Sequence, residues 1–261
     1  MEITALSLMR NANSRLKNRR LTLLVGLMLS VCSLTFVLLL SAAAQSAILR
    51  IYADSGNVSG TAAFSDKINL LVTAVASVAL LAVFEPLFMG FKRMVWLSMR
   101  GNTPCVSDVF WCYSPGRLFR AVLLKGAVWL RLTAWLIVFL LPSMAFSAFF
   151  DSKAAVFVKY LLLGIGICLF LIKLISYGAA DYVFFEDEYK KTREIISSSV
   201  GLFGVRSGNF GFAALIFVTN AACAVLCSAV PPALAVLPIA TACSASLALY
   251  AAGNETLNKA K

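Results

Sequence analysis

The sequence predicts an all-α polytopic membrane protein, a bundle of about six transmembrane helices with amphipathic segments at the cytoplasmic surface. Of the 261 residues, 61% are hydrophobic and only 13% are charged, which is about half the charged fraction of a soluble domain. Several uncharged runs also exceed the roughly 20 residues that cross about 30 Å of hydrocarbon. Lys and Arg cluster beside these runs, as they do in the cytoplasmic loops of membrane proteins.

The first predicted helix covers residues 21–46 and follows a basic N-terminal segment, residues 1–20. The uncharged run extends from Leu21 to Leu49. A cleaved signal peptide is the alternative interpretation, because residues 41–47 (SAAAQSA) resemble a cleavage site. The apolar region of a signal peptide usually has about 7–15 residues, so the longer run favours a helix that stays attached.

Three further helices are predicted at residues 68–91, 121–150 and 154–180. The second ends at Lys92-Arg93, and residues 92–120 are too polar, and too interrupted by Pro104 and Pro115, to span a membrane. The third helix is expected to begin in the interface near Gly116 before it crosses.

An acidic stretch follows the fourth helix. Residues 186–199 are predicted to form a surface helix stabilised by the i,i+4 pairs Glu186–Lys190 and Asp187–Lys191. The alternative is a divalent-cation site, because carboxylate oxygens are the ligands that such ions prefer. The carboxylates concerned are Asp181, Glu186, Asp187 and Glu188.

The last long run, residues 207–254, has no charged residue over 48 positions. One helix of that length would measure about 72 Å, more than twice the hydrocarbon thickness. We therefore expect a reversal at residues 228–232 (SAVPP), since paired prolines suit a turn. This gives helices at 210–229 and 232–252, a transmembrane domain at 21–253 and a tail at 254–261.

The basic residues predict the orientation. Most of the 23 Lys and Arg residues fall in the N-terminal segment, the loops at 92–120 and 181–206, and the C-terminus. The positive-inside rule then places both termini in the cytoplasm. The predicted partners are the lipid bilayer and its anionic headgroups. Nucleic-acid binding is not predicted, because the Lys and Arg residues cluster beside the apolar runs, as expected of residues that set membrane topology.

Two groups of charged residues are candidates for a site. Glu85 is the one acid well inside an apolar run, and Lys173, which should lie at a similar depth, is its expected partner if Glu85 is functional. With Arg131 they form a possible intramembrane polar site, since buried charges often mark ion or substrate paths. The alternative is that Glu85 reaches the bases at Lys92 and Arg93.

A basic stripe is the second candidate. Arg117, Arg120 and Lys125 share one face of the third helix. We expect this face to meet anionic headgroups or a polar interior.

The sequence offers no recognisable chemistry. It has no histidine, which removes the commonest general base and metal ligand. It also lacks an HExxH motif and paired intramembrane aspartates. We therefore predict no catalytic residue, no metal, no cofactor and no enzymatic activity.

Several short stretches carry a family resemblance through their order along the chain. They are EPLFMG (85–90), Arg93, Arg100-Gly101, VSDVFW (106–111), YGAADYVFFE (177–186) and IISSS (195–199). In this order the chain resembles the bacterial integral membrane family called domain of unknown function 975, over roughly residues 15–250. The resemblance implies a multi-helix protein of a bacterial cytoplasmic membrane and transfers no catalytic residue.

The predicted function is that of a membrane scaffold or interaction protein that works through its basic cytoplasmic loops. The alternative is a small transporter or lipid-handling protein that uses Glu85, Lys173, Arg131 and the proline-bearing second and sixth helices, because transporters build sites from interrupted helices. An intramembrane enzyme is a further alternative without a motif to support it.

Overall fold

The protein is helical throughout the residues that the computed structural model describes, which are 4–54, 61–149, 153–229, 234 and 236–259. Helix makes up 88% of the structure, and the described residues contain no strand. The all-α prediction is therefore confirmed for this part of the chain. The helices are α1 (Ala5–Leu16), α2 (Arg20–Asp54), α3 (Thr61–Ala79), α4 (Glu85–Met99), α5 (Arg117–Phe149), α6 (Lys153–Ser176), α7 (Ala180–Glu186), α8 (Thr192–Phe203), α9 (Phe210–Ala229) and α10 (Leu237–Lys259).

Four helical segments of the described chain are long and apolar enough to cross a membrane. They are Leu6–Ile51, Ile68–Met99, Arg117–Met144 and Val156–Glu186. Two shorter apolar helices follow, at Phe210–Leu226 and Leu237–Gly253. This composition is consistent with an integral membrane protein, because a helix of about 20 apolar residues satisfies its own backbone in lipid.

The buried core lies at one end of the molecule, which we call the packed end. It is formed by α1, α4, the 3-10 segment Val106–Tyr113, α7 and α8, with adjoining turns of α2, α5 and α10. Outside this end the long helices bury little surface on one another. In the most apolar window of Ile68–Met99, only 11% is buried inside the structure. Away from the packed end, much of the apolar surface of these helices is therefore exposed.

The basic N-terminal segment forms a helix that belongs to the packed end. Thr4 caps α1 through a reciprocal pair of hydrogen bonds with Ser7, and α1 packs against α10. Arg15 then donates to the carbonyl of Met99, and Arg19 donates to three carbonyls at the end of α4. These arginines therefore satisfy backbone acceptors that the helix end leaves without partners.

The second predicted helix, 68–91, is shorter than the observed one. The chain runs through α3, a π-helical turn at Leu80–Phe84, and α4 before it stops at Arg100. Gly101 has φ +91°, a conformation that favours glycine at the end of a helix. The prediction that Lys92-Arg93 ends the helix was wrong, because both bases have acidic partners inside the fold.

The predicted surface helix at residues 186–199 was also wrong. The turn at Tyr177–Ala179 separates α6 from the short helix α7, and a second break at residues 187–191 precedes α8. Asp181, Glu186 and Glu188 pair with bases from other elements, so the predicted i,i+4 pairs do not hold the region in one helix.

The last two helices form a pair. The bounds of α9 coincide with the predicted 210–229, whereas α10 begins at Leu237 instead of residue 232. The predicted reversal at 228–232 lies partly outside the described residues, and so does the end of the tail, at 260–261.

Candidate functional site

A partly open cavity of about 490 Å³ lies between the helices. Its wall is built by α2, α4, α5, α6, α7, α9 and α10. Most lining side chains are apolar, including Leu27, Val31, Phe217 and Ala221. Charged side chains are confined to one part of the wall, beside the packed end.

These charges form an alternating chain of two carboxylates and two ammonium groups, which we call the charged cluster. Lys125 Nζ lies 3.1 Å from Glu85 Oε2 and 2.9 Å from Asp181 Oδ1. Lys92 Nζ lies 2.6 Å from Asp181 Oδ2. The four charges cancel, so the cluster carries no net charge when all four groups are ionised.

Solvent reaches little of this cluster. The exposed fraction of the side chain is 12% for Lys125, 13% for Glu85 and 5% for Asp181. Removing charges from water is costly unless each is paired and hydrogen-bonded. The carboxylates meet that condition, since Trp129 Nε1 donates to Glu85 Oε1 at 3.1 Å and Asp181 accepts from both lysines.

The local structure explains how these side chains meet. Lys125 and Trp129 are four residues apart on α5 and therefore lie on the same face of the helix. Both contact Glu85 from that face. Glu85 begins α4 directly after the π-helical turn, where Pro86 supplies no amide hydrogen. Such local departures from regular helix often occur at functional sites.

The 3-10 segment Val106–Tyr113 covers the packed side of the cluster. Arg93 lies 3.2 Å from Asp108 and 4.2 Å from the ring centroid of Trp111. Arg117 lies over the same ring at 4.8 Å and pairs with Glu188. These contacts join the segment to α4 and α5 through cation–π and ionic interactions.

Burial changes the pKa of two titratable side chains in this segment. Burial raises the pKa of the Cys112 thiol to about 12, and the negative charge of Asp181 acts in the same direction. Burial also raises the pKa of Tyr113, whose hydroxyl donates to the carbonyl of Val83 at 2.7 Å. Cys112 is therefore a protonated, inert thiol at neutral pH.

The predicted pair of Glu85 with Lys173 does not form. Glu85 pairs with Lys125, and Lys173 Nζ instead lies 5.1 Å from the ring centroid of Trp135. Arg131 is exposed on the side of α5. Of the three residues predicted for an intramembrane polar site, the structure brings only Glu85 to the cavity.

The predicted basic stripe is divided. Lys125 points into the molecule and meets Glu85 and Asp181, so for this residue the alternative of a polar interior holds and the headgroup-facing assignment was wrong. Arg117 pairs with Glu188, and Arg120 donates to the carbonyl of Glu188 while lying over the ring of Tyr189. The two arginines share one face as predicted, but they hold the turn at residues 187–191.

Several polar residues of the cavity were missed by sequence reasoning. Asn220 lines the wall from α9, and its Oδ1 atom is buried without a hydrogen-bond partner among the described residues. Tyr182 and Ser244, whose oxygens are 2.5 Å apart, line it from α7 and α10. A lone Asn within an apolar run is a signal that could have identified the first of these.

The geometry does not favour a metal centre in the part of the chain that is described. No group of three or more His, Cys, Asp or Glu residues there is arranged to hold an ion. The carboxylates Asp181, Glu186 and Glu188, which were the alternative cation ligands, are held in separate ion pairs.

Comparison with known proteins gives no relative from which to transfer a function. No family model, no curated protein and no solved structure matches this chain.

Proposed function

We propose that this chain is a membrane protein that binds a small amphipathic molecule between its helices and so handles lipid-like molecules. The cavity of about 490 Å³ carries this proposal. Pockets that hold small ligands have volumes of roughly 300–1,000 Å³ and combine apolar walls with a few placed polar groups. This cavity has that composition, with its charges at one end.

The position of the cavity favours an amphiphile over a water-soluble ligand. Its walls include Leu34, Ala224 and Leu237 from the apolar helices α2, α9 and α10, and the cavity between these helices is partly open. In a bilayer, lipid fills such spaces between helices. A molecule with an alkyl chain and a polar group therefore has access to the apolar part of the wall and to the polar groups.

We further propose that the chain crosses a bacterial cytoplasmic membrane about six times, with both termini cytoplasmic. Arg19 meets the end of α4, and Arg100 pairs with Glu186, so two helical hairpins leave the packed end and return to it. Helices α9 and α10, of 20 and 23 residues, measure about 30 and 34 Å. The proposed kinship with the bacterial family called domain of unknown function 975 rests on the order of the motifs.

The scaffold function predicted from the basic loops has less support. That function requires basic side chains free to bind a partner. Arg15, Arg19, Arg93, Arg100 and Arg117 are instead engaged within the fold. Bases that stabilise the protein's own loops are less available to another protein.

A cavity-filling variant tests the binding function. Ala221 and Ala224 line the cavity from α9, whereas the neighbouring Ala222 does not. We expect Ala221→Phe with Ala224→Phe to weaken the binding of pyrene-labelled fatty alcohol and fatty acid probes by at least about tenfold, or 1.4 kcal/mol. The Ala222→Phe variant should bind the better probe as the unaltered protein does.

The measurement is pyrene fluorescence during titration of the purified full-length chain in detergent. Saturable binding of either probe at one site per chain supports the proposal. Equal binding by the cavity-filling variant and the Ala222→Phe control, or no saturable binding of either probe, would show that the cavity has no such function.

A further inference from the structure

We infer that the cavity selects an uncharged amphiphile whose polar group donates a hydrogen bond to Oδ1 of Asn220. This inference deepens the proposed binding function and rests on it. It names the chemical class of the ligand as a single-chain molecule with a hydroxyl or amide N–H group.

The first step concerns Asn220. A buried amide oxygen without a partner destabilises a protein, so buried polar atoms almost always have a hydrogen-bond partner. Among the described residues, no donor reaches Oδ1 of Asn220. The side chain lines the cavity, so a donor on a bound molecule supplies the missing hydrogen bond.

The second step concerns the surroundings of Asn220 on α9. The wall beside it on this helix is apolar, with Ile216, Phe217, Ala221 and Ala224. One polar atom in such a wall matches one polar group on a largely apolar ligand. A ligand with several charged or polar groups would leave most of them unsatisfied there.

All four charged groups of the charged cluster are paired with one another. The charged cluster balances two carboxylates with two ammonium groups, and Lys125 contacts both carboxylates. Lys92, the other base, is held between Asp181 and the ring of Phe88, whose centroid lies 5.0 Å from Nζ. Because no charge in the cluster lacks a counter-charge, a charged headgroup gains little from it. An uncharged headgroup pays no comparable desolvation penalty.

Four ligands with the same chain test this inference by displacing the bound pyrene probe from the full-length protein. They are oleyl alcohol, methyl oleate, sodium oleate and oleylamine. Oleyl alcohol should displace the probe at a concentration about 2- to 12-fold lower than methyl oleate, which lacks a donor for the hydrogen bond to Asn220. It should also exceed the anionic and cationic analogues.

Two variants assign the selectivity to the side chain. Asn220→Leu should reduce the preference for oleyl alcohol over methyl oleate to about one. Thr219→Val removes a hydroxyl from the same helix that is bonded to the carbonyl of Leu215 and does not line this cavity. It should leave the preference unchanged.

The outcomes separate this inference from the function on which it rests. Equal displacement by alcohol and ester, or strongest displacement by oleate or oleylamine, would overturn the ligand class while the binding function stands. An unchanged preference in Asn220→Leu would overturn the role of Asn220. If none of the four displaces a probe and the cavity-filling variant binds it normally, the binding function itself fails.

Discussion

Removing Lys125 should destabilise the protein more than any other single change in the charged cluster. Its ammonium group is the partner of two carboxylates, at 3.1 Å from Glu85 and 2.9 Å from Asp181. At an effective dielectric constant of about 20, attraction between unit charges at 3.1 Å amounts to about 5 kcal/mol. Desolvation offsets part of this gain, and removing one partner of a buried pair costs about 3–5 kcal/mol.

The assay is thermal unfolding of the purified chain in detergent, with a double-mutant cycle to isolate the pair. Lys125→Met should lower the midpoint by roughly 6–20 °C, at about 2–4 °C per kcal/mol. Glu85→Gln should cost less, because Lys125 keeps Asp181. The double variant should be more stable than the sum of the single effects by at least about 1 kcal/mol.

A second cycle provides the matched control. Glu85→Gln combined with Lys173→Met should be additive within about 0.5 kcal/mol, since Lys173 lies against Trp135 and away from Glu85. Coupling of Glu85 with Lys173, together with additivity of Glu85 and Lys125, would refute the arrangement of the charged cluster.

Two further predictions concern the 3-10 segment that covers this cluster. Gly90→Ala should lower the thermal midpoint, because a Cβ there would overlap the backbone of Val109, and overpacking costs about 1–3 kcal/mol. The control is Gly126→Ala, whose added Cβ meets nothing within 4 Å and which should be neutral or stabilising. Equal effects of the two changes would contradict the close approach of Gly90 to Val109. The second prediction uses a variant that retains only Cys105 and Cys112. A maleimide at about pH 7.5 should label the exposed Cys105 but leave Cys112 unmodified until the protein unfolds. The reason is that burial raises the pKa of Cys112 to about 12, so little of its thiol is ionised at neutral pH. Equal labelling of the two thiols in the folded protein would show that Cys112 is not buried.

The helices themselves were predictable because lipid imposes a simple rule on the chain. A run of about 20 uncharged apolar residues satisfies its backbone only as a helix. The apolar run that follows Arg20 and the run that leads up to Cys227 could therefore be predicted as the helices α2 and α9. The bounds of α9 coincide with those predicted. Such runs need no knowledge of partners, so they can be recognised locally.

Helix ends beside charges were harder to predict. Lys92 and Arg93 look like the end of a membrane helix when they are considered alone. They continue α4 because Asp181 and Asp108 neutralise them inside the fold. The first of these partners lies 89 residues away, and the sequence does not specify which helices are neighbours.

The choice of partner for Glu85 failed for a related reason. Depth along the helix made Lys173 a reasonable candidate, but depth does not determine which way a helix is rotated. The rotation of α5 turns Lys125 and Trp129 toward Glu85. That rotation follows from packing against α4 and the 3-10 segment, which a sequence pattern on one helix does not contain.

The stretches that carry the family resemblance meet at the charged cluster. Arg93 pairs with Asp108, and the ring of Trp111 packs edge-on against Phe184. Asp181 accepts hydrogen bonds from both lysines of the charged cluster. These contacts join the helices at the packed end, while the apolar helices extend away from it with much of their surface exposed. The cavity at this junction has ion-paired side chains beside the packed end and a largely apolar wall elsewhere. This arrangement suits a ligand whose alkyl chain enters between the helices and whose polar group binds at one position, Oδ1 of Asn220.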